Sequence, residues 1–315
     1  MPDDDRASRV QRELFLRALT AARPSPAVAR AIANATREAR FDVGDVLYRE
    51  GESPETVFFI VEGKVELVTD GEEPWTFEDG DVVGVLDANM SRPHARTAVA
   101  RSPVSALVID AEDWLEVLAD NLSFSAEARQ NINRTLFDMV LSLSPDGAFP
   151  APAEPDPDEV PAVIEGKIIE RVVALRQCLH FERASVQALV ELARRADLIR
   201  APRGATVIAP GAARKKLFVV MSGTVEIEHR SDPPLKATFG PSALVLGSSA
   251  FAGALNEFAV TALTDSVLVS LHWTDIDDVA EDHFDLSRAL FRGAALDREQ
   301  CMAERARRAR ASRFE

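Results

Sequence analysis

The chain has 315 residues, 46% of them hydrophobic, which supplies packed cores for two ordinary domains and excludes global disorder. Its formal net charge is −15 and its pI about 4.9, so the surface repels phosphate backbones and general nucleic-acid binding is disfavoured. The two cysteines, Cys178 and Cys301, form no CxxC pair, which fits a reducing compartment and argues against a disulfide framework or a cysteine zinc site.

The opening Met1-Pro2-Asp3-Asp4-Asp5 is acidic and polar, the wrong chemistry for a signal peptide, and residues 1–10 read as a flexible tail. Phe15, Leu16 and Leu19 have helical spacing. Pro24-Ser25-Pro26 then starts a second helix containing Val28, Ala31, Ile32 and Ala35. From about Val43 to about Ile109, short apolar runs alternate with turns rich in glycine, glutamate and proline, the pattern of a small antiparallel barrel or jelly roll. Val65 and Leu67 alternate there with Lys64 and Glu66, the period of a half-buried strand.

From Ala111 the period becomes helical. Trp114, Leu115, Leu118 and Leu122 share one face, and Ile132, Leu136, Met139, Val140 and Leu143 another. Both faces need a partner: the barrel, a second domain or a second chain. The first domain is thus expected over 11–143.

Residues 144–163 carry six prolines among acids and alanines, a semi-rigid linker without a core of its own. A second domain is expected over 164–315, its strands ending near Leu271 and a closing helical segment running from Thr274. Its last turns hold Arg305, Arg307, Arg308, Arg310 and Arg313. These are either a solvated helix end set against the C-terminal dipole or a docking tail for an acidic partner. The longest weakly polar run, Ser242 to Leu255, falls short of the roughly 20 residues needed to span a bilayer. The expectation is a soluble, cytoplasmic protein.

The two halves repeat at an offset of 160 residues: Gly44, Gly51, Phe58, Gly63, Val65 and Glu66 return as Gly204, Gly211, Phe218, Gly223, Val225 and Glu226. The same register joins Leu19 to Leu179, Ser25 to Ser185, Ile32 to Leu192, Arg40 to Arg200 and Gly80 to Gly240. So many matches at one offset mean an internal duplication in which each copy is a whole domain. The expected fold class is mainly β with flanking helices, two double-stranded β-helix (jelly-roll-like) domains in tandem.

The segments Gly44-Asp45-Val46-Leu47-Tyr48-Arg49-Glu50-Gly51 and Phe58-Phe59-Ile60-Val61-Glu62-Gly63-Lys64-Val65 resemble the cyclic nucleotide-binding domain. This is the β-roll module of the catabolite activator protein, the protein kinase A regulatory subunit and cyclic-nucleotide-gated channels. The resemblance covers roughly Phe15 to Leu122 in the first copy. In the second, roughly Val172 to Ile276, it rests mainly on the repeat.

That family holds its ligand in a phosphate-binding cassette reading roughly Phe-Gly-Glu-x-Ala-Leu and then, after about six residues, Arg-Ala-Ala/Thr. The resemblance places the first cassette at Val83–Ala88 and Pro93–Ala98, with Gly84, Val85, Leu86, His94, Arg96 and Thr97 as candidate ligand-binding residues. Gly84 matches the family glycine. Val85 stands at the glutamate position, so the ribose contact is absent. His94 stands where the family has arginine, and Arg96, two residues on, lies on the same side of the strand. His94 either caps a turn or contacts phosphate, and in the second case binding strengthens as pH falls through the imidazole range. The second cassette offers weaker candidates, Gly247, Ser248, Ser249 and Asn256, with no basic residue between Lys236 and the strand 258–262.

The implied function is a non-enzymatic regulator that senses cyclic AMP, cyclic GMP or a similar small anion, mainly in the first domain. It would relay the signal through the following helix, with a protein partner or self-association through helices 111–143 and 274–315. The other reading is a scaffold whose two domains no longer bind nucleotide. Neither needs a catalytic residue, a metal or a resident cofactor. The five histidines form no HxH or HxxxH pair, and no nucleophile elbow or Walker A loop occurs. No helix-turn-helix or membrane segment is expected. The segment Arg6-Ala7-Ser8 lacks the paired arginines of the kinase inhibitor sequence.

Overall fold

A computed structural model describes Arg12 and residues 25–142, 166–212, 215–229, 235–247 and 258–311. The expected tail at 1–10, the helical spacing at Phe15, Leu16 and Leu19, and the linker 144–163 lie outside the described residues. The chain divides into two compact units, Met1–Ala128 with Met302–Glu315, and Arg129–Cys301.

In the first unit, α1 (Pro26–Ala35) opens on the Ser25 cap, whose hydroxyl accepts from the Val28 N–H, and it buries Val28, Ala29, Ile32 and Ala33. Eight strands follow: β1 (Arg37–Phe41), β2 (Val46–Tyr48), β3 (Thr56–Glu62), β4 (Val65–Val68), β5 (Trp75–Phe77), β6 (Val82–Val83), β7 (Thr97–Ala100) and β8 (Val104–Asp110). They form two four-stranded antiparallel sheets in the orders β1-β8-β3-β6 and β2-β7-β4-β5. The first strand begins at Arg37, earlier than the sequence pattern suggests. Its residues Arg-Glu-Ala-Arg-Phe are mostly exposed, so no apolar alternation marks it.

Tyr48, Phe58, Ile60, Val65, Leu67, Trp75, Phe77 and Val83 fill the space between the sheets. Between β6 and β7 sits a single short helix, α2 (Val85–Met90). After β8 comes α3 (Ala111–Asp120), then α4 (Leu122–Ser142). The helix expected from Ala111 through Leu122 is therefore broken: Asn121 leaves helical geometry at φ −129° and ψ 70°. Trp114 fastens α3 to the roll, edge-on to Phe59 at 5.7 Å.

The second unit repeats the plan. Helices α5 (Ile168–Gln177) and α6 (Val186–Arg195) precede β9 (Asp197–Ala201), β10 (Thr206–Ile208), β11 (Lys216–Ser222), β12 (Val225–His229), β13 (Leu235–Phe239), β14 (Phe258–Ala262) and β15 (Ser266–His272). The sheets are ordered β9-β15-β11 and β10-β14-β12-β13, with an isolated bridge from Val219 to Leu244 beside β11. The chain closes with α7 (Trp273–Asp282), one residue earlier than expected, and α8 (Phe284–Ala311). No helix among the described residues is long and apolar enough to cross a membrane.

The duplication reaches individual backbone contacts. Gly63 (φ +114°) and Gly223 (φ +78°) each turn so tightly that an added Cβ would lie 2.4 Å from a carbonyl oxygen, of Pro103 and Asp265 respectively.

The offset, however, changes partway. Val65 pairs with Phe77, but Val225 pairs with Phe239, so the second hairpin is two residues longer and the offset becomes 162 (239 − 77). The Gly80 N–H donates to the Ile60 carbonyl, and the Ser242 N–H donates to the Val220 carbonyl. Gly80 therefore corresponds to Ser242 and not, as the 160-residue register has it, to Gly240.

Candidate functional site

The residues expected to form the cassette of the first roll lie in α2 and the turn that leads into β7. Gly84 caps the helix at φ +88°, and a Cβ there would lie 2.7 Å from the Thr56 carbonyl oxygen. Only glycine fits this combination of backbone hand and close approach. Val85 and Leu86, which follow it, are half-buried, and Leu86 packs against the core of the roll.

His94 is buried, and its ring lies flat on the Tyr48 ring with centroids 3.6 Å apart and planes 11° apart. Its Nδ1 is 3.2 Å from Asp87 Oδ2. The other Asp87 oxygen accepts from Arg92 Nε at 2.8 Å, and the Ala95 N–H donates to Oδ2 at 3.4 Å. Burial pushes the Asp87 carboxyl upward in pKa, but the hydrogen bonds from His94 and Arg92 outweigh it and leave it below the usual carboxylate range. Tyr48 is held strongly protonated, first by burial and then by the Asp87 charge. Asp87, His94, Arg92 and Tyr48 thus form one cluster around the Asp87 carboxylate, with Arg92 at its partly exposed edge.

Arg96 stands outside that cluster. Its guanidinium carbon lies 4.1 Å above the centroid of the Trp75 ring, a cation–π contact. One terminal nitrogen donates to the Glu72 carboxylate and the other reaches the Glu73 carbonyl at 3.4 Å. The two ends of the ion pair differ sharply in exposure: the Arg96 side chain is 8% exposed and that of Glu72 59%. Thr97 begins β7, and its hydroxyl accepts from the Glu50 N–H at 3.1 Å.

The structure therefore separates the two basic candidates. His94 turns toward Asp87 and Tyr48, while Arg96 turns toward Trp75 and Glu72. The sequence reading did not include Tyr48, Asp87, Arg92, Glu72 or Trp75 in the site. Asp87 is the one acid of α2 and stands five residues before Arg92, a signal that was available. The 21-residue separation of Trp75 from Arg96 spans β6 and α2 and gave no such signal.

In the second roll, the Val245 N–H donates to the Phe218 carbonyl, as Val83 pairs with Phe58 in the first. This makes Leu246, at φ +73°, the counterpart of Gly84 and puts Gly247 one position later. A Cβ on Gly247 would lie 2.8 Å from Asp297 Oδ2, so a carboxylate borders the start of this cassette. Asp297 pairs with the buried His180, Nε2 to Oδ2 at 2.9 Å. Burial lowers the His180 pKa, but Asp297 more than reverses this and raises it to about 10. Ser248, Ser249 and Asn256 lie outside the described residues. No group of three or more His, Cys, Asp or Glu placed to hold a metal ion occurs among the described residues.

Residues 38–121 match the family model of the cyclic nucleotide-binding domain, so the first roll is a domain of that type. No curated protein matches the chain. The chain is similar in fold to the regulatory subunit of a cAMP-independent protein kinase A from Trypanosoma cruzi bound to guanosine, at 14% identity, covering 87% of this chain and 84% of that one, with a TM-score of 0.34. A mutant of the corresponding Trypanosoma brucei subunit, bound to cAMP in its A site, shows 15% identity, coverages of 98% and 96%, and a TM-score of 0.35. The regulatory domain of Toxoplasma gondii protein kinase A with cAMP shows 13% identity, coverages of 90% and 95%, and a TM-score of 0.35.

Proposed function

We propose that this chain is a non-enzymatic regulatory protein of the cytoplasm whose first β-roll is the sensing element. It takes a cyclic nucleotide or a similar small anion on Arg96, and α3 and α4 carry the response to a protein partner. The observation that carries this reading is the environment of Arg96. It is a nearly buried cation in the turn just before β7 whose carboxylate partner sits on an exposed side chain, so an incoming oxyanion can take the partner's place. With Val85 at the glutamate position and His94 turned inward, fewer groups grip the ligand than the family pattern provides. Each lost charge-assisted bond is worth about 1.5–3 kcal/mol, or one to two decades of affinity.

α3 is the natural first responder. It follows β8 directly and is pinned to the roll by Trp114 against Phe59.

The closed cluster of Asp87, His94, Arg92 and Tyr48 favours a second reading, a scaffold that binds no nucleotide. Thermal unfolding with and without cyclic AMP, cyclic GMP and inorganic phosphate separates the two. A ligand that binds only the folded roll raises its Tm with concentration. The sensor reading expects such a rise with at least one of the three, and the scaffold reading expects none at millimolar concentration.

A further inference from the structure

We infer that Glu72 is a tethered stand-in for the ligand's anion, holding the Arg96 site closed until a small oxyanion displaces it. The inference rests on the sensor reading and adds its gate.

Glu72 lies in the turn of residues 69–74 that joins β4 to β5. Its carboxylate has the charge and geometry of one face of a phosphate, and it sits on the guanidinium that the sensor reading assigns to ligand. The Glu72 side chain is 59% exposed, so much of it is already hydrated before it is withdrawn.

Beneath Arg96 there is an unmet donor. The Trp75 side chain is buried at 6% exposure, and its Nε1–H meets no hydrogen-bond acceptor among the described residues. A buried indole N–H normally finds a partner. Neither Glu72 nor Arg96, itself only a donor, serves that N–H.

The turn is also wired to the cassette strand. The Thr69 hydroxyl donates to Glu50 Oε2 at 2.8 Å, and the Glu50 N–H donates to Thr97 Oγ1 at 3.1 Å, one residue beyond Arg96. Releasing Glu72 loosens a turn that already touches the end of the site. A carboxylate tethered this closely competes at an effective concentration on the order of millimolar, which keeps the site insensitive to weaker anions.

The test is a tryptophan-fluorescence titration of the full chain with cyclic AMP and, separately, with inorganic phosphate. It compares wild type, Glu72→Gln and Asp70→Asn, the last removing the same charge from the same turn without touching Arg96. The gate predicts that Glu72→Gln binds about three- to tenfold tighter than wild type, while Asp70→Asn binds as wild type does. A gain with both titrants means the site reads the oxyanion alone; a gain with cyclic AMP alone means it reads the nucleoside too, and either supports the gate. Equal affinities in wild type and Glu72→Gln, or equal gains in both variants, overturn the gate and leave the sensor reading standing. No binding by any of the three chains overturns both.

Discussion

The His94 imidazole is stacked on the Tyr48 phenol at 3.6 Å and bonded to Asp87 through Nδ1. A histidine held by both its face and its edge is a core residue of the roll. Its position beside β7 made phosphate contact the alternative, but its Nδ1 faces Asp87. Removing the carboxylate leaves His94 and the Ala95 N–H without their acceptor. Asp87→Ala is therefore expected to lower the stability of the first roll by about 1–3 kcal/mol in urea unfolding, and an unchanged midpoint would show that Asp87 does not hold the cluster.

The same carboxylate gives the first roll an acid limit. Asp87 titrates below its ordinary value of 3.8 in the folded chain, so it contributes stability above about pH 3.8. That contribution is withdrawn as pH falls from there through the lower folded value. Wild type should thus lose stability more steeply than Asp87→Asn between pH 4 and pH 2. Parallel acid-unfolding curves would refute the linkage.

The second roll has the opposite dependence. His180 is raised to about 10 by Asp297, so the charged pair contributes fully below the unfolded value near 6.5 and is lost as pH rises towards 10. The Cys301 thiol, pushed up to about 12 by burial and then by Asp297, stays protonated throughout that window. Thermal unfolding of wild type between pH 7 and 10 should show a falling Tm for the second unit. His180→Gln should start lower and remain flat. A variant that falls as steeply as wild type would show the pair to be idle.

Gly84 gives the sharpest structural prediction. An alanine there takes a left-handed backbone and drives its Cβ to 2.7 Å from the Thr56 carbonyl oxygen, fixed within β3. Gly84→Ala should cost about 2–3 kcal/mol of stability, read by denaturant unfolding of the first roll. A cost below about 0.5 kcal/mol would mean that the α2 cap relaxes freely.

Much of the architecture was legible because the features that specify it are local. Gly63 and Gly223 mark the same close approach in both copies, and the β3 and β11 runs are apolar because they are buried through most of their length. The 160-residue register failed beyond β12 through a difference in pairing length. A hairpin lengthened by two residues shifts everything after it, so Ser242, not Gly240, takes the place of Gly80, and Leu246 takes that of Gly84 with Gly247, also left-handed, one position later. At the site, Arg96 and His94 were visible from their place beside β7. Their partners Tyr48, Glu72 and Trp75 come from other strands and turns, and no sequence spacing announces which side chain a strand will face across a roll.

The central claim is that Arg96 is the ligand-holding cation of the first roll. It is tested most directly by isothermal titration calorimetry of cyclic AMP and cyclic GMP into wild type and Arg96→Ala, with circular dichroism confirming that both are folded. The account predicts a saturable heat in wild type for at least one nucleotide and its weakening by at least tenfold, roughly 1.4 kcal/mol, in Arg96→Ala. No heat at millimolar nucleotide, or equal affinity in the two proteins, would contradict it.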